Sequence, residues 1–284
     1  MKAITILKII TITLLCSLTN VFSQEKTIRG SVLDNLKKPI QYANVGVLNK
    51  PIGTVTNNEG EFTLKINDSL ILDTLKISSL GFKSKELIIK NLLDKKSSDI
   101  YLESYIEELE EVKISSNNLK SYTEGKEKTK SKNQVFFANP EIKNINLGCE
   151  IGRKFVLNSK KPSVLEELKF YIKENNFEQI KFRINIYNIQ NEIPLNRINK
   201  IDIYSEVKNI NGWITVNLTD YDIIIKDNVI VTIEWIEASK IGDTLSLPLI
   251  VPSLNSIHYY KQSAQSQWRK YKMISSAMLL TYKQ

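Results

Sequence analysis

Histidine occurs once in this chain, at position 258, within Ser256-Ile257-His258-Tyr259-Tyr260. A histidine acting as general base needs a nucleophile in reach and a carboxylate to orient it. No G-x-S-x-G elbow accompanies His258, so a strand-end or surface position is the expectation. Hydrolytic zinc needs several His and carboxylate ligands around an open position. One histidine does not supply that set, and no metal, cofactor or catalytic residue is assigned. Asp220, Asp222, Asp227 and Glu234 are spread carboxylates near Tyr221. Glycoside hydrolysis would need two of them about 5 to 10 Å apart across a cleft. Asn57, Asn58 and Glu59 offer loop oxygens, but their order departs from the D-x-[DN]-x-[DN]-G calcium loop, and a hairpin turn accounts for them. The aromatics carry the best binding chemistry. Trp268, Trp213, Tyr259 and Tyr260 are candidates for stacking on a sugar ring or anchoring a protein partner. Trp235 belongs to an apolar run and is expected in the core.

These residues sit in a pattern of short apolar runs of period two, cut by turn residues at close intervals, which is the mark of an all-β chain. Its 284 residues suggest about two domains. The first segment reads as a secretory signal peptide over residues 1–23: Lys2 and Lys8, then the apolar run 9–18, then Val21-Phe22-Ser23. The apolar run falls short of the ~20 residues of a membrane span. Cys16 offers lipidation as a further option, although Leu15 is larger than the residue such sites need. The formal charge is +8. It comes mostly from scattered Lys, with Arg only at 29, 153, 183, 197 and 269, so no nucleic-acid footprint is read. Cys149 is the one cysteine outside the leader, which leaves no internal disulfide and suggests a small core residue.

Strands are expected over 27–32, 40–48, 54–56, 62–66, 70–78, 87–89 and 100–102. Asp34-Asn35, Pro51-Ile52-Gly53 and Asn57-Asn58-Glu59-Gly60 mark turns between the first of them. The order of motifs then resembles the carboxypeptidase regulatory-like domain. The matching residues are Gly30 and Val32, then Pro39, Ile40, Ala43 and Val45, then Gly53, Thr54, Thr56, Gly60, Phe62 and Leu64, then Leu75, Ile77, Ser78, Gly81 and Phe82. Asn57 stands where the family commonly has Asp, and Phe82 where it has Tyr. The resemblance implies a transthyretin-like seven-stranded β-sandwich over 24–114. Such domains resemble the accessory module of a peptidase and lack its zinc ligands. In exported proteins of Gram-negative bacteria the domain also precedes TonB-dependent outer-membrane transporters, with a junction like Leu109-Glu110-Glu111-Val112-Lys113-Ile114. Too little chain follows for a transporter barrel here.

Residues 115–133 are rich in Lys, Ser and Asn and read as a flexible linker that lets two domains move independently. From 134 to 284 the strand pattern resumes. Leu168, Phe170 and Ile172 share a face. So do Phe182, Ile184 and Ile186, with Lys181, Arg183 and Asn185 directed outward. Ile214, Val216 and Leu218 alternate in the same way. Residues 229–236 should form a central strand with Val231, Ile233 and Trp235 on one side. Further strands are expected over 245–251, 256–260, 267–273 and 277–282. This gives a second β-sandwich of jelly-roll type.

The functional expectation is a non-catalytic exported cell-envelope protein, in the periplasm or peripherally associated with the outer membrane. It would recognise an envelope partner or glycan through its second domain, with the first as rigid spacer or docking piece. The alternatives are a polysaccharide or peptide hydrolase using carboxylates of the second domain, and an accessory of a TonB-dependent uptake system docking through residues 109–114.

Overall fold

The computed structural model describes residues 25–93, 95–105, 119–142, 144–157 and 161–284. The leader with Cys16, and the 109–114 segment, lie outside the described residues.

The first unit has seven strands in two sheets around one core. Glu25–Asp34 (β1) lies between Glu61–Asn67 (β4) and Ser98–Leu102 (β7), antiparallel to the first and parallel to the second. The other sheet runs Gly53–Val55 (β3), Asn44–Val47 (β2), Thr74–Ser78 (β5) and Lys85–Ile88 (β6). Strict alternation on β4 buries Phe62, Leu64 and Ile66 and exposes Glu61, Thr63 and Lys65. Val32, Val45, Leu75 and Ile77 meet them from both sheets. The seven-stranded sandwich inferred from the motifs is therefore present, with strand boundaries moved, most at β2, which starts at Asn44 rather than Ile40, and at β5. Residues 68–70 form a 3-10 turn and the strand starts at Thr74, because Asp68, Ser69 and Asp73 interrupt the alternation.

The family motif has a local cause. The buried Thr56 hydroxyl accepts from Ala43 N (2.8 Å) and donates to Ile40 O (2.7 Å), pinning the segment before β2. Asn57 Oδ1 accepts from Glu59 N (3.0 Å) and Glu61 N (2.7 Å). An amide oxygen thus does the turn-closing work that a carboxylate would do, so the departure at 57 leaves the hairpin intact.

The second unit is built on a seven-stranded sheet. Its order is Ile193–Arg197 (β15), Gln179–Gln190 (β14), Val229–Ala238 (β19), Glu150–Phe155 (β11), Ile257–Lys261 (β21) and Arg269–Lys272 (β22), with Ile203–Lys208 (β16) also on β14. A five-stranded sheet faces it: Gly212–Asn217 (β17), Ser163–Ile172 (β12), Met278–Lys283 (β24) and Ser121–Gly125 (β8), with Ile224–Ile225 (β18) beside β12. A third sheet closes one side: Asn144–Ile145 (β10), Gln134–Asn139 (β9), Leu245–Ile250 (β20) and Glu174–Asn175 (β13), with Ser275–Ser276 (β23) on β20. Phe182, Ile184, Ile186, Val231, Ile233 and Trp235 on the large sheet pack against Leu168, Phe170, Ile172 and Leu280 on the facing one. The phases expected for β12, β14, β17 and β19 all hold.

The linker expectation is corrected. Ser121–Gly125 is a strand of the second unit, paired with β24 from Leu279↔Gly125 to Lys283↔Ser121. Thr123 Oγ1 meets Thr281 Oγ1 at 3.0 Å across that pair. The cause is register: a polar edge strand needs only backbone pairing and polar cross-strand partners, which a search for apolar runs overlooks.

The two units also do not stand apart. Gln265 Nε2 donates to Ser78 Oγ (2.7 Å), and Asn49 N donates to Gln265 O (3.0 Å). The Ala264 carbonyl lies so close to β2 and β3 that a Cβ on Gly46 or Gly53 would sit 2.2 or 2.4 Å from its oxygen. These two glycines are required by a neighbouring backbone, not by their own torsions.

Candidate functional site

The outer face of the large sheet carries the most concentrated chemistry in the described chain. Glu150 on β11 is the cross-strand partner of Glu234 on β19. Arg183 on β14 is registered with Glu234, and Asn185 with Thr232. Period two puts all five side chains on the face opposite the core. Arg183 and Asn185, expected to point outward, are each 1% exposed. They do point away from the core of their own unit, but Arg183 is met there by Tyr42 and Asn44 of the first unit and Asn185 by Glu150, Glu234 and Arg197.

The contacts form one network. Arg183 Nε and Nη2 both reach Glu234 Oε2 at 2.9 Å. Arg183 Nη1 donates to Tyr42 O (2.9 Å) and Nη2 to Asn44 Oδ1 (3.0 Å), both in the first unit. Asn185 Nδ2 donates to Glu234 Oε2 (2.8 Å) and Glu150 Oε2 (3.1 Å), bridging the two carboxylates. Glu150 Oε2 also accepts from Thr232 Oγ1 (2.7 Å) and Tyr187 Oη (2.9 Å), and Lys261 pairs with its other oxygen. Arg197 donates to Asn185 Oδ1 (3.0 Å) and pairs with Asp202 (3.2 Å). Three cations, Arg183, Arg197 and Lys261, thus meet three carboxylates, Glu150, Asp202 and Glu234.

The electrostatics follow from burial against pairing. Burial alone would raise the Glu150 carboxyl, but Lys261 and the Thr232 and Tyr187 hydroxyls outweigh it and hold the group below its ordinary value. Burial works against the charged Arg183, and Glu234 and Asp202 more than offset it, so the guanidinium stays firmly charged. Burial and the Glu150 charge push the Tyr187 phenol well up, leaving it a neutral donor. Glu150 and Arg183 are therefore held charged by fixed partners. A working acid/base pair instead needs one group set to exchange its proton near the operating pH.

The carboxylates named from sequence do not converge. Glu234 lies in this network, fully buried, while Asp220, Asp222 and Asp227 are exposed around the turn before and after β18. Glu150, absent from the sequence reading, is the nearer partner of Glu234. The available signal was a carboxylate inside an otherwise apolar strand, Val229-Ile230-Val231-Thr232-Ile233-Glu234-Trp235-Ile236, which has to find a buried cation. Among the described residues, no cluster of three or more His, Cys, Asp or Glu is arranged to hold a metal ion.

His258, expected at a strand end or on the surface, is buried within β21. Nδ1 meets Ser276 Oγ at 2.9 Å, and Nε2 has no partner among the described residues. Burial lowers its pKa to about 4, so the ring is neutral at pH 7. Cys149 is buried, its thiol pushed up by burial, and Tyr260 bonds to it.

The four candidate aromatics fall in three places. Tyr259 is fully buried on the outer face, donating to Glu192 O (3.0 Å), and its ring meets Trp268 edge-on at 6.5 Å. Trp268 is half-buried, edge-on to Tyr187 at 5.7 Å, with Lys261 Nζ 4.9 Å from its ring centre. Tyr260 faces the opposite side, against the core. Trp213 sits on β17 of the facing sheet, 37% exposed and edge-on to Tyr171. Trp268 and Tyr259 therefore close the end of the ionic network, and Trp213 lies elsewhere.

A second feature lies where the two units meet. A cleft of about 370 Å³ is bounded by the β3–β4 hairpin of the first unit and by Ile236, Glu237 and Ala238 at the end of β19. At its base Tyr42 Oη bonds to Asn58 Oδ1 (2.6 Å) and Glu237 Oε2, and Lys181 Nζ donates to the same phenol at 3.1 Å. Tyr42, Val55 and Ile236 form a small apolar cluster there, with Leu147 against it.

Residues 28–114 match the model of the CarboxypepD_reg-like domain, which bears out the motif resemblance for the first unit. A search of curated proteins found no match. Among solved structures, this chain is similar to the major pilin subunit of Bacillus cereus at 9% identity and a TM-score of 0.20, covering 89% of this chain and 69% of that one.

Proposed function

We propose that the protein is a non-catalytic, exported cell-envelope protein that recognises a partner or glycan, with its regulatory-like domain held as a fixed part of the recognising body. One observation carries the reading: the densest charged cluster in the described chain is a balanced, buried joint between the two units. Arg183 spends two of its donors on Tyr42 O and Asn44 Oδ1, so the cluster works as a fastening. A reading as a hydrolase draws support from Glu150 and Glu234, neighbours across strands that share one amide donor. Against it, both carboxylates are wholly buried, whereas glycoside hydrolysis places them on either side of a substrate.

Glycan arrays and pull-downs from envelope extract test the proposal with the mature chain. Saturable binding of a glycan class or an envelope protein is the expected result. Silence in both removes recognition. Turnover of a polysaccharide or peptide panel that disappears in Glu234→Gln, with the fold intact, would replace the proposal with the hydrolase.

A further inference from the structure

We propose that the cleft between the β3–β4 hairpin and the end of β19 is the recognition site, and that its ligand is an extended polypeptide segment carrying a basic side chain. This rests on the recognition reading and names the site and partner class.

β4 is the last strand of its sheet, with β1 as its one neighbour. Val32 N donates to Gly60 O at 2.8 Å, and the register runs on through Gly30↔Phe62 and Arg29↔Thr63. Hydrogen-bonded and non-bonded pairs alternate along an antiparallel ladder. Phe62 and Leu64 therefore turn their N–H and C=O groups to β1, while Thr63 and Lys65 turn theirs to the open edge. Glu61 has the same outward phase, but its N–H and C=O are engaged by Asn57 in the turn. Thr63 lines the cleft at this open edge. An extended chain laid along β4 would meet the outward groups of Thr63 and Lys65, which is the geometry of strand addition.

Side-chain chemistry sets the occupant. Glu59 and Glu61 stand on the cleft wall, exposed, and neither has an ion-pair partner among the described residues. Glu237 across the cleft is engaged by Tyr42 and by Lys181 at 3.6 Å. The cleft wall therefore carries two uncompensated negative charges above an apolar floor of Val55, Ile236 and Leu147. A lysine or arginine fits both parts, its aliphatic stem on the floor and its charged head at the carboxylates. The cleft, about 370 Å³, lies within the range of formed ligand sites. Two walls come from different units, so the site exists only while the joint around Arg183 holds.

The test uses the mature full chain and fluorescent nonapeptides of alternating Val and Thr that carry one Lys, one Glu or neither at the centre. Fluorescence anisotropy should give saturable binding of the Lys peptide, at least tenfold tighter than the Glu peptide, weakening as salt is raised. Glu59→Lys with Glu61→Lys, both exposed, should abolish that preference without touching the fold. Thr63→Pro removes an N–H that faces away from the ladder and should weaken binding of all basic peptides at least tenfold. Equal binding of Lys and Glu peptides, or no effect of the double charge reversal, overturns the assignment of the cleft. If a glycan or envelope protein binds and these variants leave that binding unchanged, recognition stands and this site does not. Silence towards glycans, extracts and peptides together removes both.

Discussion

Replacing Arg183 by Met probes the joint most cleanly. Methionine keeps the unbranched apolar stem and deletes the guanidinium. Glu234 Oε2 then loses its two Arg183 donors and keeps Asn185 Nδ2 at 2.8 Å, while Oε1 has no partner among the described residues. Tyr42 O and Asn44 Oδ1 lose their donors as well. Breaking a buried pair by removing one partner costs about 3–5 kcal/mol. Protonation sets a ceiling, because neutralising an ordinary glutamate of pKa about 4.3 at pH 7 costs about 3.7 kcal/mol. The expected loss is thus about 3–4 kcal/mol at pH 7, a large share of the 5–15 kcal/mol typical of a folded domain. The ceiling drops by about 1.4 kcal/mol per pH unit, so the carboxylate's share of the loss should shrink to about 1 kcal/mol near pH 5. Urea unfolding followed by intrinsic tryptophan fluorescence, in which Trp235 is the fully buried contributor, measures it at both pH values. A loss below about 1 kcal/mol at pH 7, or one that does not change with pH, would refute the reasoning.

Other consequences follow from single residues. The His258 pKa is about 4 in the fold against about 6.5 in the unfolded chain, so the unfolded chain takes up the proton first on acidification. Stability should fall by about 1.4 kcal/mol per pH unit from pH 6.5 down to about 4, and His258→Gln should flatten that part of the melting-temperature profile. A Cβ at Gly46 would sit 2.2 Å from the Ala264 carbonyl oxygen; Gly46→Ala should cost about 1–3 kcal/mol in urea and loosen the seam, seen as faster proteolysis around 262–266. Cys149 is buried with its thiol raised, so it should resist Ellman's reagent in the native protein and react at once in urea.

The fold was readable where alternation controlled burial. Phe62, Leu64 and Ile66, and Val231, Ile233 and Trp235, declared both their strands and their inward faces. The site was not readable for a physical reason. Period two says which side of a strand a residue takes, but not whether another unit covers that side. Arg183 and Asn185 were on the side expected of them, but Arg183 is covered through a contact with Tyr42, 141 residues earlier in the chain, and Asn185 by the ionic network itself. The strand at Ser121–Gly125 was hidden in the same way, since an edge strand held by backbone pairing needs no apolar pattern. Glu234 was the one legible hint, a carboxylate in the middle of a central apolar strand. The cleft beside β4 depends on two segments brought together by the joint, so no local motif announced it.

The two units form one body held by the joint around Arg183 and Glu234. Spin labels at Ile88→Cys on β6 and Leu195→Cys on β15 sit on exposed strand positions of the two units, and the buried Cys149 stays unlabelled. Double electron–electron resonance should give one narrow distance peak in the native protein, broadening in Arg183→Met. A broad distribution in the native protein itself would mean that the units move independently, and the joint, with the cleft that depends on it, would have to be abandoned.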